Sequence, residues 1–455
     1  MSNWVVLKFG GSSVADPKHW QTITEQVNKQ IAQGNRPLLV LSALKNISNL
    51  LEGLLHQALA GVYPTAIKHL EEQHLGFCAQ LGLSLKETLN PIFSHLNQQC
   101  QIIQSEKSIS PARHAEVLAC GELLSTTIGS AYLQKQGLNA QWIDARTLLS
   151  ANDHTDPWHH FTSAECDYRG NSQNIKHRLS NQEVDVFVTQ GFIASDANGA
   201  TVLLGREGSD TSAAYLGAAV NAQEIQIWTD VPGVFTSNPR EIDNTRQIPE
   251  LSYQQANLMA KLGAKVLHPR AVNPAQTENI PILVKSTQAP EKKGTQIGNA
   301  RADSQIIGIA YEPQLLAIEL SSSDSSFFSS LQLALEKMGY DLLDLHLEPL
   351  EGLQVSYWVY KNSDSAEPNT QRQINRVLPD VSQRLTFKPD VAMISLIMNE
   401  QESSETTGLS GSISEVLEAC DLQRIHVNNQ GYTAICVNAS DCLTVTQKLH
   451  DEFCQ

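Results

Sequence analysis

Lys8-Phe9-Gly10-Gly11-Ser12-Ser13-Val14 sets a cation and a glycine turn at the end of an apolar run, a combination few folds provide. Trp4 to Phe9 reads as a buried strand, and Asp16 with Pro17 reads as the cap and first turn of the helix that follows. The chain thus opens strand, Gly-Gly, helix. Backbone N–H groups of such a turn and of a helix N-terminus point at phosphate oxygens with no side chain in the way, and Lys8 adds a full charge. The motif predicts an anion site. Its spacing is not the Walker pattern, which wants four residues between the glycines and the lysine after them. Taken alone, the seven residues also suit an ordinary strand with a tight turn.

Three further segments narrow that choice. Thr189-Gln190-Gly191-Phe192 follows the apolar strand Val184 to Val188, and Leu204-Gly205-Arg206-Glu207-Gly208-Ser209-Asp210 leads into a small-residue helix. Ile227-Trp228-Thr229-Asp230 runs on through Gly233, Phe235 and Pro239 to Arg240, and Gly263-Ala264-Lys265 runs on to His268-Pro269-Arg270. In order and spacing, over roughly residues 4 to 300, these motifs resemble the aspartate kinases of the amino-acid kinase fold. The likeness is nearest to the kinase half of bifunctional bacterial proteins that fuse aspartate kinase to diaminopimelate decarboxylase, although no decarboxylase follows here.

A length of 455 residues allows two or three domains, each with its own core. The formal charge of −16, from 48 acids against 32 bases, argues against nucleic acid or an anionic membrane as partner. Any anion site must then be a local concentration of cations and amides. No stretch approaches the ~20 apolar residues of a membrane helix, and no basic region with an apolar core opens the chain, so a cytoplasmic protein is expected. Eight cysteines show no C-x-x-C pair and no zinc spacing, which suits reduced, mostly buried thiols.

Pro37 to Ser42 is an apolar strand of the kind buried on both faces of a parallel sheet. Helical sequence dominates from Asn49 to about Lys107, with Gly61 and Pro91 as breaks, and Arg113 to Gln136 is a further helix stopped by Gly137. Alternating strands and helices predict an α/β fold, a three-layer α/β/α sandwich around a mainly parallel sheet, with ligands beyond the carboxyl ends of its strands. Near Gly294-Thr295 the pattern changes to shorter elements. Strands over 315–320, 342–347 and 353–359 and helices over 327–338 and 371–378 are followed by a similar series from Val391 to Phe453. The resemblance makes residues 1–300 the amino-acid kinase catalytic domain and 301–455 a tandem ACT-like, α+β regulatory region.

Phosphorylating a carboxylate needs no general base, because the nucleophile is already ionised near pH 7. The obstacle is repulsion from the triphosphate, so catalysis rests on positioning and on cations. The resemblance implies ATP with Mg²⁺ and L-aspartate as reactants, giving 4-phospho-L-aspartate at the head of lysine, threonine and methionine biosynthesis. It assigns Lys8 to the transferring phosphate and Asp210 to organising Lys8 and the magnesium–phosphate region. Gly10, Gly11 and Ser12 line the nucleotide turn, with Thr229, Asp230, Phe235, Arg240 and Lys265 as further nucleotide residues. For aspartate it implies Arg206 on the α-carboxylate, Glu122 on the α-ammonium, and Ser42, Ser48, Phe192 and Ser209 around them. Without the family, Glu122 reads only as a surface helix residue. No protein metal cluster is expected, and His268 reads as structural.

The tail departs from the family pattern. Ser325 to Ser330, Glu348 to Gly352 and Asn428 to Tyr432 stand where relatives carry segments that help hold an inhibiting amino acid. A homodimer through the ACT-like region is implied, and an amino-acid effector is left open. Two rival functions are a non-catalytic amino-acid sensor on the same fold and another amino-acid kinase. The joint presence of Lys8, Glu122, Arg206, Asp210 and Lys265 speaks against the first, and the tandem tail against the second.

Overall fold

The structure, a computed structural model, describes residues 3–264, 267–299, 305–322, 340–350, 353–362, 385–399, 413, 415–417, 422–428 and 431–454. The chain forms two compact units, the first from residues 1–234, 249–257 and 266–300 and the second from 235–248, 258–265 and 301–455.

The first unit is built on strands β1 (Trp4–Phe9), β2 (Arg36–Leu41), β3 (Ala140–Trp142), β4 (Val186–Gln190), the small hairpin β5 (Ile193–Ser195) and β6 (Thr201–Leu203), then β7 (Glu224–Thr229), β8 (Glu250–Ser252), β9 (Ile282–Ser286) and β10 (Thr295–Gly298). Eight of them make one sheet in the order β3-β4-β2-β1-β7-β9-β10-β8, parallel from β3 through β9, with β10 antiparallel to β9. Val6, Leu7, Leu38, Leu39, Ile225 and Val284 are all buried, as a parallel sheet covered on both faces requires.

Helices α1 (Gly11–Val14) and α2 (His19–Ala32) follow β1, and α3 (Ile47–Leu59), α4 (Pro64–Gln80), α5 (Lys86–Glu106) and α6 (Pro111–Lys135) follow β2. Val5, Leu7, Phe9, Trp20, Leu41 and Leu124 share one core with these helices. On the other face lies α9 (Gly208–Val220), which comes after the short helices α7 (Pro157–Thr162) and α8 (Ser172–Arg178), and every residue of α9 is buried. The result is the three-layer α/β/α sandwich the pattern predicted.

Two local expectations are corrected. Asp16 does not cap α2, whose cap position is Lys18; its Oδ1 accepts the Lys18 N–H at 2.9 Å in the turn before. Pro91 does not break α5, and the interruption falls at residues 81–85, where Gly82 turns left-handed. Pro91 costs one hydrogen bond near the helix start, while Leu89, Phe93, Leu96, Cys100 and Ile103 keep a continuous buried stripe through it.

In the second unit, β11 (Ile306–Ser322), β12 (Tyr340–Leu350), β13 (Leu353–Asn362), β14 (Leu385–Met398), β15 (Leu422–Asn428) and β16 (Tyr432–Asn438) form one sheet in the order β12-β13-β11-β14-β16-β15, and its pairings are antiparallel. Read inward from either edge the order repeats, so two like halves meet through their first strands, β11 and β14. The tail therefore combines its two ACT-like units in one sheet. Ile309, Ile394, Leu396, Ile435 and Val437 bury against Val445 and Leu449 of the closing helix Cys442–Phe453. The segment 235–248 is fastened here, with Thr236 O accepting the Ile309 N–H at 2.6 Å and Asp243 N–H donating to Gln447 at 2.8 Å. The helices expected over 327–338 and 371–378, and Ser325 to Ser330, lie outside the described residues.

Among the described residues, no helix is long and apolar enough to cross a membrane. The seven described cysteines are free and buried.

Candidate active site

In the first unit the strand order reverses between β1 and β7, which leaves a crevice at their carboxyl ends, the usual ligand position in an open α/β sheet. The predicted motifs fall there. Lys8, the penultimate residue of β1, points toward α9, and its Nζ lies 2.5 Å from Asp210 Oδ1. Lys8 is 8% exposed and Asp210 5%. Asp210 stands in the first turn of α9, where the helix dipole favours an anion. It is not the helix cap, a position Glu207 takes in a left-handed conformation.

Beyond Lys8 the chain turns at Gly10, whose N–H donates to the Trp228 carbonyl at 3.1 Å and so ties the ends of β1 and β7. A Cβ at Gly10 would stand 3.4 Å from the Lys8 ammonium, and one at Gly11 would stand 3.0 Å from the Ala43 carbonyl. The first is an ordinary contact and the second a tight one, so close approach favours bare backbone at Gly11, in a turn with a cation at its rim. Ser12 is half-buried beside it. Ser13 Oγ lies 2.7 Å from Thr287 Oγ1, after β9, and the Thr287 N–H donates to Thr229 O at 3.0 Å. Thr229 Oγ1 donates to Asp230 at 3.3 Å, and Asp230 itself is exposed.

The loop after β2 joins the turn to α6. Lys45 N–H donates to Gly11 O at 3.1 Å, and Ala43 N–H donates to Glu122 Oε1 at 3.1 Å. Glu122 is 3% exposed, so the sequence expectation of a surface residue is corrected. Its Oε2 is buried with no hydrogen-bond partner. Burial pushes the Glu122 carboxyl up to about 8, although the Ala43 N–H favours the anion. Ser42 contributes its carbonyl to Ser125 Oγ at 2.6 Å, and half-buried Ser48 lies in the first turn of α3, after left-handed Asn46.

The turn after β4 is pressed onto the start of α9. A Cβ at Gly191 would fall 2.5 Å from Ser209 Cβ, so only glycine fits. Phe192 holds φ at 69°, a costly value for an aromatic residue, and its N–H donates to Ser212 Oγ at 2.9 Å. Ser209 is buried, whereas Arg206 is exposed in the turn before α9. His268 caps α10 (Pro269–Thr277), its Nδ1 accepting the Arg270 N–H at 3.2 Å. Burial lowers its basicity.

The structure thus gathers Lys8, Gly10, Gly11 and Asp210, with Glu122 linked to them through the loop at 43–45. Phe235 and Arg240 belong to the second unit, where Phe235 bridges Gln247 and the Arg240 N–H donates to Asn238 at 3.2 Å. Lys265 lies outside the described residues. Sequence reasoning missed the Ala43 amide and Thr287, neither of which a residue pattern announces. Glu122 carried a signal, being the single charge between Glu116 and Lys135 in a helix of apolar and small residues.

A buried cation–carboxylate pair beside a glycine cradle, at the switch point of a parallel sheet, describes a phosphoryl-transfer scaffold. Residues 3–286 match the model of the Amino acid kinase family. The chain belongs to that family, and its relatives place it among the aspartokinases. It is 33% identical over 302 residues to lysine-sensitive aspartokinase 3 of Escherichia coli, covering 66% of this chain and 65% of that one. It is 30% identical over 328 residues to the aspartokinase of Chlamydia pneumoniae, covering 70% and 68%. The crystal structure of E. coli aspartokinase III in complex with aspartate and ADP, in its R-state, superimposes with a TM-score of 0.84 at 27% identity, covering 99% of this chain and 100% of that one. In sequence, the chain spans about two thirds of the length of these two curated relatives.

Proposed function

We propose that this chain transfers the γ-phosphoryl group of ATP to the side-chain carboxylate of L-aspartate, giving 4-phospho-L-aspartate for lysine, threonine and methionine biosynthesis. The observation that carries the reading is the buried Lys8–Asp210 pair at the glycine cradle. An ion pair this deep is weak evidence for stability, because desolvation offsets its Coulomb attraction. It is well suited to meeting charge that grows during transfer, without reorganisation. Lys8 then offsets charge on the moving phosphoryl group, while Asp210 fixes the ammonium. Gly10, Gly11 and Ser12 present backbone to the phosphates, with Thr229 and Asp230 at the nucleotide. Phe235, Arg240 and Lys265 join the nucleotide role on the strength of their motif.

For the amino acid, Glu122 would take the α-ammonium and Arg206 the α-carboxylate, with Ser42, Ser48, Phe192 and Ser209 completing the pocket. The unpartnered Oε2 of Glu122 supports this, since an arriving ammonium supplies the partner the fold leaves out. Among the described residues, no group of three or more metal-binding side chains is assembled. Mg²⁺ ordinarily takes one or two carboxylates together with phosphate oxygens and water, so Asp210 at the cradle is a sufficient protein contribution. When bound, the ion would supply charge neutralisation on the phosphates. We further infer a catalytic domain over 1–300, a regulatory region over 301–455 that pairs two chains, and a cytoplasmic location. An ADP-release assay with aspartate, glutamate and acetylglutamate tests the reading. Turnover with aspartate alone is expected, and no release with aspartate would defeat it.

A further inference from the structure

On the face of the sheet opposite Lys8, a cavity of about 380 Å³ lies between α2 and the strands β1, β7 and β9. Its volume is in the range of small-ligand pockets. In the parallel register Phe9, Trp228 and Lys285 stand side by side, as do Leu7, Gln226 and Leu283, so Gln226 and Lys285 share this face. A buried sheet face is ordinarily apolar, yet here Lys285 is 9% exposed and Gln226 6%.

The polar groups are not paired as a merely structural cluster would be. Lys285 Nζ sits 5.0 Å over the Trp228 ring, and among the described residues it makes no hydrogen bond or ion pair, although Glu224 and Glu291 attract it from farther off. Three donors on a buried ammonium are left to whatever fills the cavity. Of these two carboxylates, Glu224 lines the cavity and is already hydrogen-bonded. Glu224 Oε1 accepts the Gln226 Nε2–H at 2.6 Å, and Gln226 Oε1 accepts the Trp228 Nε1–H at 3.0 Å, a chain that holds the acid on the amide. From α2, exposed Lys29 also lines the cavity, close enough for the two ammonium groups to repel. Gln30 carries a further amide, whose oxygen already accepts from Asn35 at 2.8 Å and whose N–H groups remain donors. The wall of this space thus carries two cations and donor amides against one carboxylate, Glu224, which Gln226 already holds, and that balance favours an anion.

We propose that this cavity is a second ligand site, which binds a small metabolite through carboxylate or phosphate oxygens held by Lys285 and Lys29. The site is separate from the phosphoryl-transfer crevice and does not depend on what the crevice does. Trp228 makes it observable, because its ring contacts Lys285, stacks on Phe9 at 5.5 Å, and offers its carbonyl to Gly10.

The test uses the full chain, with tryptophan fluorescence and thermal shift read during titration with inorganic phosphate and, separately, succinate at constant ionic strength. A saturable response is expected, with half-saturation at about 1 mM or below for at least one of the two. The responding anion tells phosphate chemistry from carboxylate chemistry. Lys285→Met should weaken that binding about tenfold or more, and Lys29→Ala should weaken it by a smaller factor. If Lys285→Met does not fold, Lys29→Glu on the exposed helix surface decides, and it should abolish binding. No saturable response in the wild type overturns the proposal. So does a response unchanged in these variants, since that binding belongs to the crevice.

Discussion

The two units differ in the polar groups they bury. In the first, Lys8, Glu122 and Asp210 lie under the carboxyl ends of a parallel sheet, with Lys8 on Asp210 and one oxygen of Glu122 left without a partner. In the second, the buried polar groups of β14 and the closing helix are neutral ones: Thr446 donates to Cys442 O at 2.7 Å and His450 Nε2 meets Thr236 Oγ1 at 2.8 Å, while His450 Nδ1 and Ser395 Oγ are buried without a partner. A buried ion pair beside a buried carboxyl group with a free oxygen marks a place prepared for a charged molecule.

The sharpest way to break that contrast is Lys8→Ala. Turnover should fall about 10²- to 10³-fold while the aspartate KM moves far less, because the lost contact is made to charge that develops in transfer. Steady-state kinetics checks this, and near-normal turnover would refute the assignment. Glu122→Gln comes next, with a rise in aspartate KM of about tenfold or more and little change for ATP. Arg206→Ala should act in the same direction.

The same carboxylate gives a pH signature. With its acidity weakened to about 8, Glu122 is protonated in the empty pocket at neutral pH. An ammonium needs the anion, so binding below pH 8 must expel that proton. The aspartate KM should therefore drop as pH rises, by up to about tenfold per unit, and level off above 8, whereas the Gln variant should lose the slope. Gly191→Ala is expected to cost about 1–3 kcal/mol in denaturant unfolding, because the added methyl meets Ser209. The smallest effect belongs to the tail. Lysine at about 1 mM should change the rate less than about twofold, since an effector acts only through its differential affinity for two states. Sedimentation should show a dimer, and a monomer would refute the pairing.

Much of this was legible in the chain. The runs at Trp4 to Phe9 and Pro37 to Ser42 became central strands, and Gly61, Gly137 and Gly11 fell where backbone freedom or close approach is required. What stayed hidden was decided by neighbours distant in sequence. Pro91 signalled a break that a buried stripe overrode. Glu122 looked solvated because its burial depends on the loop at 43–45, some eighty residues upstream. Phe192 gave no sign of its left-handed backbone, which Ser212 and the crowding at Gly208 impose.

The seam between β11 and β14 has a mechanical consequence. Its register runs from Ile306 opposite Met398 to Leu320 opposite Leu385, interrupted by bulges near Gly308 and Leu315. Sliding one strand along the other by a single residue would turn every side chain to the wrong face, and a slide of two residues, about 7 Å, would have to carry those bulges with it. Graded slippage is thereby forbidden. The two halves of the tail share one backbone register, and any displacement of one along the other has to break it.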